Sequence, residues 1–397
     1  MSYSYSTIIV GAGLTGLSTA ALLEKNHKDY FLIEKDTEIG GKIKSSEIKG
    51  WSIDHGFHVF IKEYPNLSLF PDLKRCELIN FEPGFIIIKN QKAYKNINIF
   101  KKFFNGLIHN NFPGFSLKDK FLILKLSLVP PSYLPKNNSV LEFLQEYGFS
   151  KGFINDFFIN FFQGVFLDKK LDVPLSYFLF IFKMFSISDV GIPKGGIKEI
   201  ISIISKRIPE SKIKTGVSIN EIYKNKIVTD EGNEYYFKKL ICTDSLLEKK
   251  FDATIKKNLF GEICYSSTKC FYFIVEPENN PENIIHLLPQ SELISSLYFR
   301  KRNSKEMLMS VSTLNCEATV EDVEKQILDH FPKINIIKFQ KSFEIQKALP
   351  KNKKFFNYNN ENFCKYNENI FFAGDFLSNP SINGCLESSK SLVRFLS

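Results

Sequence analysis

A chain of 397 residues that is 44% hydrophobic and 24% charged has the composition of a folded, water-soluble protein and the length for two cores. Its formal net charge of +9 is spread over scattered lysines and pairs such as Lys101-Lys102, Lys169-Lys170 and Lys249-Lys250, which describes a solvated surface and argues against nucleic acid as a partner. Seven cysteines, at positions 76, 242, 264, 270, 316, 364 and 385, include no CxxC, and no signal peptide precedes the first apolar strand, so neither a disulfide framework nor a metal site is expected and the expected compartment is cytoplasmic.

The chain opens on "STIIVGAGLTGLSTAALLEKNHKDYFLIEKD", which reads as strand, helix, strand. Ile8, Ile9 and Val10 form the continuous apolar run of a strand buried on both faces. Gly11, Gly13 and Gly16 follow as GxGxxG, and Leu17, Ala20 and Ala21 supply helical periodicity. Tyr30 to Ile33 make the second strand, and Glu34 stands at its end, 18 residues after Gly16. Each residue has a physical task in holding a dinucleotide. The first glycine permits the tight turn, the second lets backbone N–H groups approach a pyrophosphate, and the third lets helix and strand pack closely. The acid accepts from a ribose 2′-OH.

The next residues, "EKDTEIGGKIKS", place Gly40, Gly41 and Lys42 just past Glu34. This stretch resembles the FAD-binding signature of the flavin amine oxidase and phytoene desaturase superfamily, with Lys42 where that family usually carries arginine. "WSIDHGFHVF" sits where the family has a strand reached through an Asp-x-Gly turn against the flavin, and Asp54 and Gly56 match that turn. His58 is placed on one strand face with Phe60, opposite Phe57 and Val59, as a hydrogen-bonded lining residue. His55 is the expected contact to flavin or substrate, and both histidines are candidates for a catalytic role beside a flavin that carries the chemistry.

Farther along, "LKDKFLILKLSLV", "SVLEFLQEYGFS" and "KGFINDFFINFFQGVFLDK" read as amphipathic to strongly apolar helices separated by "PPSYLPKNN". The apolar run "VPLSYFLFIF" is about half a membrane-spanning helix. "GIPKGGIKEIISIISKRIP" resembles the family's Pro-x-Gly-Gly turn before an amphipathic helix, and Val217 matches the residue whose backbone meets adenine. "CFYFIV", "SSLYFR" and "EMLMSVSTL" read as strands, followed by a helix from about Val320 to Phe331. "IQKALP" resembles the segment returning the chain to the FAD domain. At the C-terminus, "NIFFAGDFLSNPSINGCLESSKSLVRFL" gives a strand, the Gly374-Asp375 turn and a helix opening near Ser381 to Gly384. By resemblance the turn holds the ribityl or diphosphate part of FAD, the helix N-terminus faces the flavin, and Ser381 and Asn383 cap it.

The resemblance implies an α/β fold: a discontinuous FAD-binding Rossmann-like domain (1–75, 190–254 and 350–397) with an inserted substrate domain made of a helical cap (76–189) and a sheet plus helix (255–349). It implies non-covalent FAD, since neither Cys364 nor Cys385 lies in a covalent-attachment context. The implied activity is that of an FAD-dependent oxidoreductase taking hydride, or its equivalent, from a hydrophobic small molecule such as an isoprenoid or carotenoid, with oxygen or a quinone as acceptor. The rival readings are an amine or protoporphyrinogen oxidase and a non-catalytic FAD-binding protein. Peripheral contact with an anionic membrane is a further expectation from the basic surface.

Overall fold

Ile8, Ile9 and Val10 are buried at the centre of a seven-stranded sheet, as a strand covered on both faces requires. The computed structural model describes residues 2–97, 116–128, 139–257, 259–260, 263–276, 282–301, 306–314, 316–351 and 364–396. The Pro-rich separator at 130–138 lies outside them. In the first sheet the strand Ser2–Val10 runs parallel to Phe31–Ile33 on one side and to Glu234–Cys242 on the other. Ile213–Lys214 extends the sheet beyond Phe31–Ile33, and Ile370–Phe372 pairs in parallel with the end of Glu234–Cys242. The antiparallel strands Lys226–Thr229 and Ile219–Ile222 complete it. Val10, Ile33, Cys242 and Phe372 thus end side by side, the edge where open α/β sheets hold ligands. The helix Leu14–Lys25 packs beneath this edge, with the C-terminal helix Ile382–Leu396 against it; Ser389 Oγ donates to Thr15 O at 2.9 Å.

A second seven-stranded sheet orders Asn335–Pro350, Tyr265–Glu276, Met307–Thr313, Ile294–Lys301, Ile285–Leu287, Gly84–Lys89 and Lys92–Ile97. Its alternation separates two faces. Phe271, Phe273, Leu297, Phe299, Met309 and Val311 meet Val323 and Ile327 of the helix Val320–His330. Cys270, Tyr272 and Ile274 instead meet Trp51 and Ile53 of the hairpin Ser45–Ile48/Trp51–Asp54, which brings this sheet against the first unit.

Three local differences from the sequence reading have physical causes. Residues 78–97, expected within the helical cap, are strands: the β-branched run Ile86–Ile88 favours extension, and Asn90 and Gln91, at φ +50° and +59°, form the tight turn between Gly84–Lys89 and Lys92–Ile97. Phe57 to Val59 are not strand, because Gly56 at φ +117° turns the backbone; only Phe60–Ile61 pairs. The Phe-rich helix is interrupted by a π-helical stretch, Ile154–Ile159, that shifts its faces. Phe158 and Phe162 there are core, and the Phe162 ring lies 4.8 Å from that of Phe178, a core residue of the helix Leu175–Ile187. No described helix is long and apolar enough to cross a membrane.

Candidate dinucleotide and flavin site

The glycine turn continues directly from Val10. Gly11, at φ +104°, donates its N–H to Ile33 O at 2.8 Å, and a Cβ there would fall 2.2 Å from Thr243 Oγ1. At Gly16 a Cβ would fall 1.8 Å from Gly11 O, so the helix meets the turn at backbone contact. Gly13 differs: the nearest atom to its Cβ position is Gly41 Cα, at 3.7 Å. The fold itself therefore needs glycine at 11 and 16, while the requirement at 13 points outward, to what lies against it. The helix Leu14–Lys25 starts at Gly13 without a side-chain cap and without an acid in its first turn, which leaves its N–H groups and positive dipole end for an anion.

Glu34 is buried at the end of its strand and ties the turn together. One carboxylate oxygen accepts the Ala12 N–H at 2.6 Å and the other the Asp36 N–H at 3.0 Å. Lone pairs remain on both oxygens for a ribose hydroxyl. Val217 N–H donates to Glu34 O at 2.9 Å, which sets the Val217 backbone beside that carboxylate.

Gly40 and Gly41, at φ +128° and +58°, form a second glycine loop facing the first, with Gly40 N–H on Ala12 O at 2.8 Å. Lys42 leads out of it, and its Nζ sits 3.1 Å from Asp375 Oδ2 and 5.3 Å from the centre of the Tyr265 ring. Burial is the largest single influence on Lys42 and works to lower its pKa, but Asp375, Tyr265 and Cys385 together outweigh it and the net shift is upward, so the ammonium stays charged. The turn after Ile370–Phe372 is held from behind, Gly374 N–H on Ser388 Oγ at 2.9 Å.

At the head of the C-terminal helix, Ser381 Oγ accepts the Gly384 N–H at 3.0 Å, as a cap should. Gly384 is pressed onto the preceding loop, where a Cβ would fall 1.9 Å from Asn379 O. Asn383 does not cap the helix. Its Oδ1 accepts from Asn66 N and Asn66 Nδ2, both at 3.1 Å, and so binds the Pro65–Leu69 turn to the helix. Tyr177, from the cap, donates to Pro380 O at 2.8 Å and steadies the same loop.

Residues 9–72 match a family described as an NAD(P)-binding Rossmann-like domain. An uncharacterized protein of Methanocaldococcus jannaschii is 30% identical over 259 residues, 62% of this chain and 60% of that one. The 15-cis-phytoene desaturase of Narcissus pseudonarcissus is 44% identical over 69 residues, 17% of this chain and 12% of that enzyme. This chain therefore matches less than two thirds of the length of either relative. A putrescine oxidase whose cofactor binding was redesigned shares the fold across 100% of both chains, with a TM-score of 0.75 at 11% identity.

The chain thus carries a Rossmann-type dinucleotide-binding segment and shares the fold of a putrescine oxidase, and its local matches include a phytoene desaturase.

The Asp-x-Gly turn expected from the resemblance is Asp54-His55-Gly56. Asp54 is committed to structure, its Oδ1 accepting from Ser45 Oγ at 2.6 Å and Ile197 N at 2.8 Å, and so pins the hairpin to the Pro-x-Gly-Gly turn. The Cβ direction at Gly56 is already filled, with His58 Nε2 and Ile345 Cδ1 both at 3.4 Å, so glycine is needed there for its positive φ. His55 is occupied: its Nε2 pairs with Ser46 Oγ at 2.6 Å and its ring stacks on Phe343 with centres 4.0 Å apart. His58 is the less committed of the two, because its Nε2 is buried and has no hydrogen-bond partner. Burial holds the His58 pKa below the ordinary imidazole value against the opposing pull of Asp54.

Residues that sequence reasoning missed complete the surround. Thr243 Oγ1 donates to Val10 O at 2.8 Å and closes the wall behind Gly11. Tyr272 OH donates to Asp54 O at 2.7 Å beneath the Gly56 turn. Phe57 stacks on Tyr298 with ring centres 5.1 Å apart, in a cluster with Phe81 and Phe161 that joins sheet and cap beside that turn. The alternation in "EMLMSVSTL" could have shown Ser310 and Ser312 sharing the Tyr272 face; nothing local marks Asn66 or Thr243.

Proposed function

We propose that this chain is an FAD-dependent oxidoreductase that removes hydride, or its equivalent, from an apolar substrate, in the manner of a desaturase or dehydrogenase. The observation that carries the reading is the convergence of two glycine loops, an uncapped helix N-terminus, Glu34 and the Lys42–Asp375 pair at one edge of the parallel sheet. The donor set fits FAD. The N–H groups opening Leu14–Lys25 and the Lys42 ammonium suit a diphosphate, and Glu34 with the Val217 backbone suits an adenosine.

Bound flavin supplies the hydride-accepting chemistry. The chain's own residues orient and exclude. The capped helix Ile382–Leu396 directs its positive end at the site. Phe57, Phe81, Phe161 and Tyr298 form a water-poor wall beside the Gly56 turn, and this wall favours an apolar substrate over an amine. His58 Nε2 offers the one buried imidazole nitrogen at that turn that lacks a partner, able to hold a hydrogen bond to ligand or substrate. Burial pushes the Cys385 and Cys364 thiols up to about 12, which keeps both protonated and poorly nucleophilic and supports non-covalent attachment.

The test is the visible absorption spectrum of the purified chain before and after heat release, followed by anaerobic reduction with apolar polyenes and reoxidation by oxygen or a quinone. FAD appearing in the supernatant, with bleaching by a polyene and not by amines, is the expected result. A colourless chain that takes up no added FAD sinks the proposal. Bleaching by an amine, with rapid reoxidation by oxygen, would move it to the amine oxidase reading.

A further inference from the structure

The helix Leu117–Leu128, "LKDKFLILKLSL", is apolar on two opposite faces. Leu122, Ile123 and Leu126 are buried against the cap. At 100° per residue, Leu117, Phe121, Leu124 and Leu128 fall within a wedge of about 60° on the other side. Leu117, Phe121 and Leu128 are 73%, 64% and 74% exposed, three of the seven large hydrophobic residues exposed among those described. A helix at the surface of a globular protein carries polar residues in that position. A contiguous apolar stripe there marks a contact with something else.

The charges narrow what that is. Lys118 and Lys125 lie exposed along one border of the stripe. The helix's one acid, Asp119, is fully buried and committed to Ser116 and Ser150, the latter at 2.8 Å through both its N–H and its Oγ. The outward face therefore carries two cations and no anion. Two copies of the chain packed stripe to stripe would bring four lysines and no carboxylate to one contact. A bilayer surface supplies both complements: acyl chains for Leu117, Phe121 and Leu128, and anionic headgroups for the lysines, whose long stems let the ammonium reach outward. We infer that this helix is a docking surface for an anionic lipid membrane, with its axis in the plane of the interface. It packs against Leu175–Ile187, another helix of the cap, so docking sets the cap against the bilayer. The docking itself does not rest on the flavin reading; its use, uptake of an apolar substrate from the lipid, does.

The experiment is co-sedimentation of the full chain with vesicles of phosphatidylcholine mixed with phosphatidylglycerol, compared with phosphatidylcholine alone. The variants are Leu117→Ser/Phe121→Ser/Leu128→Ser and Lys118→Gln/Lys125→Gln, and the flavin absorbance of each sample is followed so that cofactor loss is separable from loss of docking. The unaltered chain is expected to bind the anionic vesicles. The glutamine pair should lower binding by roughly fivefold per lysine, and the serine triple by roughly tenfold or more, each with an unchanged melting temperature. Absence of binding to anionic vesicles, or equal binding by the serine triple, overturns the inference. It also fails if the serine triple converts a dimer to a monomer in sedimentation velocity, which would assign the stripe to a second copy, or if that variant melts several degrees lower, which would show the stripe covered by the chain itself.

Discussion

Replacing Gly13 by alanine separates what the ligand requires from what the fold requires. Gly13 has φ −75° and ψ −176°, a conformation open to any residue, and a Cβ there meets nothing closer than 3.7 Å. Alanine is a poorer N-cap than glycine by about 0.5–1 kcal/mol. It recovers about 0.4–1 kcal/mol by narrowing the unfolded ensemble. The two terms cancel, and with ~0.8 kcal/mol/K of unfolding entropy for 397 residues the cofactor-stripped chain should melt within ~1 °C of the original. In the proposed FAD site the added methyl would stand where a diphosphate approaches the N–H groups, and overpacking of about 1–3 kcal/mol should weaken FAD binding roughly 5- to 150-fold. Gly16→Ala is the contrasting change. Its Cβ would lie 1.8 Å from a backbone oxygen that cannot rotate away, so the helix must lift off the strand. That costs about 3 kcal/mol or more, lowers the melting temperature by about 4 °C or more, and removes flavin binding along with the packing. Thermal melts by circular dichroism and FAD titration by flavin fluorescence measure both quantities. Gly13→Ala binding FAD as tightly as the original chain, or melting as low as Gly16→Ala, would refute the division of roles.

Lys42→Ala should leave stability nearly untouched, because a pair with side chains 42% and 18% exposed contributes about 0.2–1 kcal/mol. FAD affinity should fall roughly 10- to 150-fold for the loss of a charged hydrogen bond; Lys42→Arg should restore most of it, and an unchanged Kd for the alanine variant would remove Lys42 from the site. His286 bears on acid stability. Burial lowers its pKa to about 4, below the unfolded imidazole at ~6.5, so as pH falls the unfolded chain takes up a proton that the folded chain refuses. The stability is therefore complete above ~6.5 and is lost as pH falls toward the folded value, by about 3 kcal/mol in all. Urea titrations across that window should show a shallower decline for His286→Leu; identical slopes would assign the acid sensitivity to other groups.

Much of this architecture was legible because its signals are local. The first strand, glycine turn, helix and acidic strand end occupy consecutive positions, and each residue type answers to one backbone requirement. Gly374-Asp375 and the Ser381 cap were legible for the same reason. What escaped depends on distant neighbours. Asn383 looks like a cap in sequence, but its side chain belongs to Asn66, 317 positions away. The strand Asn335–Pro350 was read only at its "IQKALP" end, because one side of it is exposed and its "KFQKSFEIQK" pattern is held by pairing along Tyr265–Glu276. Sequence favours His55 over His58 as the contact to flavin or substrate. The structure commits His55 to Ser46 and Phe343 and leaves His58 Nε2 without a partner, since a positive φ at Gly56 breaks the strand expected there.

The strand Glu234–Cys242 is shared unusually. One edge runs along Ser2–Val10, while the other is divided between Lys226–Thr229 and, past it, Ile370–Phe372. During synthesis the first strand, its helix and the second strand emerge together, and one edge of Ser2–Val10 then waits for a partner more than two hundred residues away. Asp375 reaches Lys42 across 333 positions. Pairings of such span form slowly, and an uncovered strand edge is prone to mispairing while it waits. A dinucleotide arriving at the early glycine turn would meet only half of its contacts. If the chain binds the FAD proposed for it, loading would be a late step in the life of the nascent chain, after the C-terminal strand and the Asp375 turn have joined the first sheet.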